Sequence, residues 1–333
     1  MTYRVGNYDI YKNTELGRGS YSVVYKGNGP DGIVAIKKIN KLKMAAKILF
    51  MLEEEISIMQ FIKENPHENI VRCYDIIDDI DTIYFVLEYC DSGDLRNILK
   101  KPMKEQFAQI YFSQIVNGLK YLNKNNIVHR DIKPSNILLT NNMKNIKICD
   151  FGFARQKNIA PKVNTICGSP LYMAPEIFES KSYGFHTDIW SVGIILYEML
   201  FGVHPFGKCK DINDLTSALE LFHLEIPPQN YVTDISTECI SFLKALLEKN
   251  SLDRIEWDKI FVHSWVIIQD SSQLDQKIEE IHELKENNEE NNEENNEENN
   301  EENNEENNEQ NNKSIGDITD DSSTSGMIFD MDL

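Results

Sequence analysis

The sequence predicts a two-lobed α+β fold, with a small β-rich lobe holding one long helix and a larger helical lobe after it. Three observations predict it. From Tyr8 to about Glu88, short β-branched and aromatic runs alternate with turns. Inside that region Met44 to Phe61 breaks the pattern, with Ile48, Met51, Leu52, Ile56 and Met59 at helical spacing. After Asp94 the character turns helical, with apolar stripes over Phe107–Leu122 and Thr187–Leu200. The folded domain is expected over residues 8–265, with lobes 8–88 and 91–265 and a cleft between them.

Strands are expected at Tyr21–Tyr25, Gly32–Ile36 and Thr82–Val86, where such residues fit a pleated, half-buried surface. Ahead of them, Leu16-Gly17-Arg18-Gly19-Ser20-Tyr21-Ser22-Val23-Val24 reads as a glycine-rich turn. Backbone N–H groups there can approach phosphate oxygens where no side chain intervenes. Alone, the segment is equally an ordinary hairpin turn. Val34-Ala35-Ile36-Lys37 follows it at the distance of the next strand and supplies a cation. Glu55 on the predicted helix is the carboxylate expected to aim Lys37. Glu54 and Glu53 turn about 100° and 200° away from it and are expected on a solvated face.

Farther on come His129-Arg130-Asp131-Ile132-Lys133-Pro134-Ser135-Asn136, Asp150-Phe151-Gly152 and Ala174-Pro175-Glu176. Asp150 and Asn136 offer oxygen ligands of the kind magnesium takes. Asp131 can accept a proton from an alcohol. Each triplet alone is weak, but the three in order leave little room for coincidence.

Composition bounds the rest. The chain has 333 residues, 41% of them hydrophobic, enough for a real core. Its net charge of −20 is local, because residues 269–333 hold 22 of the 54 acidic residues and 3 of the 34 basic ones. The part before them is near neutral, which argues against a nucleic-acid binder. Six scattered cysteines contain no C-x-x-C pair and suggest neither a zinc site nor a disulfide scaffold. Met1-Thr-Tyr-Arg-Val-Gly6 carries no apolar signal region and no myristoylation start. The most apolar run, Val192–Val203, contains Glu198 and is too short for a spanning helix, so no membrane partner is expected. A cytoplasmic or nuclear setting follows as an expectation.

From Glu286 to Asn312 the chain repeats Glu-Glu-Asn-Asn. A helix there would stack like charges at i, i+4 and bury nothing, so disorder is expected. An inert solubilising tail is preferred to one that folds over a substrate groove. Gly326–Leu333 regains apolar residues, as a frayed end or as a short docking peptide for a partner.

These motifs, in this order, resemble the eukaryotic protein serine/threonine kinases, over roughly Tyr8 to Trp265. The resemblance implies the bilobal protein-kinase fold, and transfer of the γ-phosphate of ATP, with two magnesium ions, to hydroxyls of protein substrates. It implies Asp131, Lys133 and Lys37 as catalytic residues and Asn136 and Asp150 as metal ligands. Nucleotide contacts would come from Leu16, Gly17, Gly19, Val24, Ala35, Lys37, Glu55, Asp94 and Leu138, and from the backbone of Glu88 and Cys90 around Leu87. Ser22 stands where the family usually has a third glycine, which implies a stiffer loop that still binds nucleotide. Ser169 is expected near Asp131 and Lys133, Glu176 paired with Arg254, and Asp188 against the backbone of His129 and Arg130. Met59, Cys73, His129 and Phe151 would form an apolar column between the lobes. Thr165, once phosphorylated, would gather Arg130 and Arg155. The segments His67–Val71, Asp150–Arg155 and Thr165–Pro175 look most like the autophagy-initiating kinases, although an autophagy role does not follow. The alternatives are a pseudokinase scaffold, disfavoured because the five polar site residues are all present, and a small-molecule phosphotransferase, which usually lacks Ala-Pro-Glu.

Overall fold

In the computed structural model, residues 2–42, 44–156, 168–178, 186–226 and 235–267 are described. Thr165, Cys167 and the acidic region 269–333 lie outside them. The first lobe is a six-stranded antiparallel sheet of β1 (Thr2–Val5), β2 (Tyr8–Arg18), β3 (Ser22–Gly29), β4 (Gly32–Asn40), β5 (Cys73–Asp78) and β6 (Thr82–Glu88). Its order is β1-β2-β3-β4-β6-β5. The strand β1 precedes the expected domain start at Tyr8. Its Tyr3 and Val5 pack on a buried cluster of Ile10, Val34, Ile36, Tyr84 and Val86, so this terminus has an apolar reason to be ordered.

Helix α1 (Ala46–Glu64) fulfils the helical expectation and runs three residues past Phe61. Asn65 ends it, with both its backbone N–H and its side-chain amide donating to Phe61 O. Leu52, Ile58, Met59 and Ile62 are its buried apolar face, the stripe that a 3.6-residue period produces.

The second lobe gathers around a helix buried on all sides. Its helices are α2 (Glu105–Lys124), α3 (Pro175–Phe178), α4 (His186–Phe201), α5 (Ile212–Glu220), α6 (Thr237–Leu246) and α7 (Trp257–Ile260). In α4, 14 of 16 residues are buried, so it is a central post and not an amphipathic surface helix. Phe112, Phe242 and Trp265 pack ring to ring at 5.5–5.6 Å between centroids. Ser236 caps α6 by accepting from Cys239 N. No helix among the described residues is long and apolar enough to cross a membrane.

Two small antiparallel ribbons carry the polar loops to one place. Ribbon one pairs β8 (Ile137–Thr140) with β9 (Asn145–Ile148), and ribbon two pairs β7 (Ile127–Val128) with β10 (Arg155–Gln156). The lobes are stitched together at Ile148, whose N–H donates to Asn69 O and whose carbonyl accepts from Val71 N, both at 2.9 Å. Asn69 is buried, and its side chain accepts from Asn117 Nδ2 at 2.8 Å.

Candidate active site

Lys37 lies on the central strand β4, opposite Phe85 of β6, so its ammonium reaches beneath the sheet toward α1. Its Nζ donates to Glu55 Oε1 at 2.8 Å and to Asp150 Oδ1 at 2.7 Å. Burial works against the lysine's charge, but the two carboxylates outweigh it and hold its pKa above the usual range. Glu55 is lifted by its own burial, only partly offset by Lys37. Asp150 is pulled down to about 2, chiefly by Lys37. Its side chain is 44% exposed, so water moderates that pull and leaves the carboxylate open to a ligand.

The loop bearing Asp131 is held from below. Asp188, at the start of α4, accepts from His129 N and Arg130 N at 2.9 Å each. Arg130 has φ 68° and Asp150 φ 62°, left-handed conformations that cost a non-glycine residue energy. The buried carboxylate beneath offsets the first of these. His129 Nδ1 accepts from Asp131 N, so Nε2 carries the hydrogen and donates to Cys149 O at 3.0 Å. One imidazole thereby joins the two loops.

Asp131 is 5% exposed, with each carboxylate oxygen assigned. Oδ1 accepts from Ser169 N and Oδ2 from Asn136 Nδ2, both at 2.9 Å. Lys133 Nζ donates to Ser169 Oγ at 2.6 Å and lies 3.4 Å from Asp131 Oδ2. Asn136 Nδ2 also donates to Asp131 O, which leaves its carbonyl oxygen as the group able to meet a cation. In the sequence, Gly168 counted only as the first residue of the Gly168-Ser169-Pro170 motif. It has φ +103°, and an added Cβ would lie 2.8 Å from Arg130 O and 3.2 Å from Asp131 Oδ1. Gly168→Ala should therefore shift Ser169 off the Asp131 carboxylate and cut kcat roughly a hundredfold, with folding retained. Steady-state kinetics beside a thermal melt check it.

The remaining expected nucleotide contacts are placed by strand register and by short loops. Val24 and Lys37 are register partners, Ala35 pairs with Leu87, and Leu138 bridges Asp94. Gly17 has open space where a side chain would stand, whereas a Cβ added at Gly19 would lie 3.1 Å from the Ser22 hydroxyl. Leu16 is exposed at the rim. Glu88 donates its N–H to Arg72 O, and its carboxylate pairs with Lys147 at 2.9 Å. That pair was not legible in the sequence. Cys90 is half-buried, and burial raises its thiol to about 12. Asp94 caps a short 3-10 turn by accepting from Asn97 N at 3.2 Å.

Met59, Cys73, His129 and Phe151 are each no more than 3% exposed, and His129 meets Phe151 edge-on at 5.1 Å. Glu176 and Arg254 form a buried two-pronged pair. One expectation is corrected: Glu54 does not lie on a solvated face. It is 8% exposed, and Arg155 of β10 sits against its carboxylate. Strand β10 covers that flank of α1, a contact made from far along the chain. Arg155, expected to gather a phosphate, is therefore engaged by a glutamate.

Three residues past Ser169, Tyr172 Oη donates to Glu198 Oε2 at 2.9 Å, and the Tyr172 ring meets His204 at 5.0 Å. Burial lifts the Glu198 carboxyl to about 7 and lowers the His204 imidazole to about 4. A raised carboxyl contributes stability that is full below the unfolded value of 4.5 and is lost as pH rises through about 7. A depressed imidazole has the opposite window, its contribution disappearing as pH falls through about 4. Glu198→Gln keeps the latter and removes the former. Relative to wild type, the variant should gain up to about 3 kcal/mol between about pH 5 and pH 8, read by urea unfolding.

The fold and this constellation define a class: two-lobed proteins that join a strand lysine to a helix glutamate and hold a loop aspartate in a fixed hydrogen-bond frame. The chain belongs to the protein kinase domain family, whose profile matches residues 10–266. Similar proteins include the serine/threonine-protein kinase atg1 of Dictyostelium discoideum, 38% identical over 79% of this chain and 40% of that protein. Human serine/threonine-protein kinase ULK1 is 37% identical over 80% of this chain and 26% of its own length. A putative serine/threonine-protein kinase of Acanthamoeba polyphaga mimivirus, R517/R518, is 36% identical over 77% of this chain and 63% of its own. The chain therefore spans less than half the length of the first two, and their similarity concerns the kinase domain.

Proposed function

We propose that the chain is an ATP- and magnesium-dependent protein serine/threonine kinase. The observation that carries the reading is the convergence of Lys37, Glu55, Asp131, Asn136 and Asp150 with every side chain oriented by a named partner. The residues fit the metal. Asp150 presents an ionised, half-open carboxylate and Asn136 a free amide oxygen. Two such oxygens suit magnesium, an ion that takes few protein ligands and keeps phosphate oxygens and water. When bound, the ion neutralises charge developing on the transferred phosphoryl group.

The chain's own residues do the rest. Lys37 aligns the α- and β-phosphates, aimed by Glu55. Asp131 orients the acceptor hydroxyl and takes its proton, while Lys133 steadies the γ-phosphate. Backbone groups of Glu88 and Cys90 meet the adenine, Val24, Ala35 and Leu138 sandwich it, and Asp94 takes the ribose. Phosphorylation of Thr165 activates the enzyme through Arg130, with Arg155 shared between phosphate and Glu54. Thr165→Ala should lower activity at least tenfold, in the range a lost charge-assisted contact commands. Full activity in that variant removes the switch. Radiolabelled ATP with generic protein substrates tests the central reading, with Asp150→Asn as the control. No label transfer by the wild type, with nucleotide still bound, favours the scaffold alternative.

A further inference from the structure

Helix α1 carries two adjacent buried glutamates, and the proposed chemistry uses only Glu55. Glu54 is 8% exposed. Both its carboxylate oxygens are closed to solvent without a directed hydrogen bond. Among the described residues its ion-pair partner is Arg155, which also donates Nη1 to Ala154 O at 3.0 Å. A carboxylate so placed is costly unless a cation accompanies it. The arginine does not come from the helix or the sheet of the first lobe. It belongs to β10, where it pairs with Val128, next to the loop that carries Asp131.

The rest of α1 gives that contact leverage. Its N-cap position, Ala45, makes no side-chain cap bond, its first turn has no acidic residue, and its buried residues begin only at Leu52. Residues 45–47 are exposed. The helix is thus gripped from its middle onward, where Glu54 and Glu55 project about 100° apart. Lys37 fixes one of those directions and Arg155 the other. The buried apolar face of Leu52, Ile58, Met59 and Ile62 sets the roll of the helix coarsely, and two ionic anchors on independent elements hold it more tightly than one.

We propose that Glu54 and Arg155 form a positioning pair, which holds α1 in the rotation that presents Glu55 to Lys37. The inference rests on the kinase reading above. Neither residue touches nucleotide; both act through Glu55. A pair that only neutralises buried charge would lower the melting temperature and leave nucleotide affinity alone.

The test is a double-mutant cycle of Glu54→Gln with Glu55→Gln, read by calorimetric binding of a magnesium complex of a non-hydrolysable ATP analogue. Circular dichroism melts accompany each protein, and binding is measured well below the lowest transition. Glu54→Gln should weaken the nucleotide Kd roughly tenfold in the wild-type background, within the coupling expected of linked residues, and cause no further loss beside Glu55→Gln. Arg155→Gln should reproduce both results if Glu54→Gln does not fold. Unchanged Kd in the single variants, or losses that multiply in the double variant, overturns the positioning role and leaves the kinase reading standing. A wild-type chain that binds no nucleotide overturns both.

Discussion

Asp131→Asn should lower kcat by roughly a hundredfold to ten-thousandfold while leaving the affinity for magnesium-ATP unchanged. The expectation follows from what each carboxylate oxygen does. Oδ1 accepts from Ser169 N and Oδ2 from Asn136 Nδ2, so both positions facing the protein demand an acceptor. An asparagine amide supplies one acceptor and one NH2 group. Whichever way it turns, a donor faces a donor, and either the segment at Ser169 or the amide of Asn136 must move. The proton acceptor is lost as well. The proposed nucleotide contacts lie elsewhere, on Lys37, Glu55 and Asp150, which is why binding should survive. Asp150→Asn should behave differently. Removing a carboxylate held at about 2 by Lys37 takes away the group offered to metal, so metal-dependent nucleotide affinity should fall together with turnover. Equal effects of the two substitutions on binding contradict the division of labour.

Much of this geometry could be read from spacing. The helical period separated Glu55 from Glu53 and Glu54, resemblance to the protein kinases paired it with Lys37, and the ion pair stands at 2.8 Å. The loop residues were legible because three motifs in order resemble those of protein kinases, and the structure supplies the local reason: Pro134 opens the 3-10 turn that brings Asn136 back to Asp131 O. What could not be read depends on partners far along the chain. Helical geometry distinguishes Glu54 from Glu55 but does not say that β10 will cover the Glu54 flank. The turn of Glu88 toward Lys147 depends on how the β8–β9 ribbon meets the end of β6, and one strand's alternation carries no record of that. Strand β1 escaped notice because four residues give too short a period. Its order comes from tertiary packing of Tyr3 and Val5.

The largest effect on stability should come from the buried pair far from the chemistry. Arg254 is 2% exposed and spends every N–H of its guanidinium. Nη1 and Nη2 donate to Glu176 at 2.8 and 2.9 Å, and the remaining N–H groups reach the carbonyls of Glu248, His186 and Lys249. The Trp190 ring lies 5.3 Å from its centre. Glu176→Gln should cost about 3–5 kcal/mol, because a buried cation is left without its counter-charge. For a domain of this size that is a fall in melting temperature of about 10 °C. Arg254→Met should cost more, since it strands the Glu176 carboxylate and three carbonyls together. Replacing both members of a buried ion pair by apolar residues is often neutral, but here it should not be. Glu176→Leu with Arg254→Met removes the orphaned charge and still leaves Glu248, His186 and Lys249 with unsatisfied oxygens. Urea unfolding of the two single variants and the double should therefore place the double between Arg254→Met and wild type. A double variant as stable as wild type shows that the carbonyls find other donors, and that Arg254 serves the carboxylate alone.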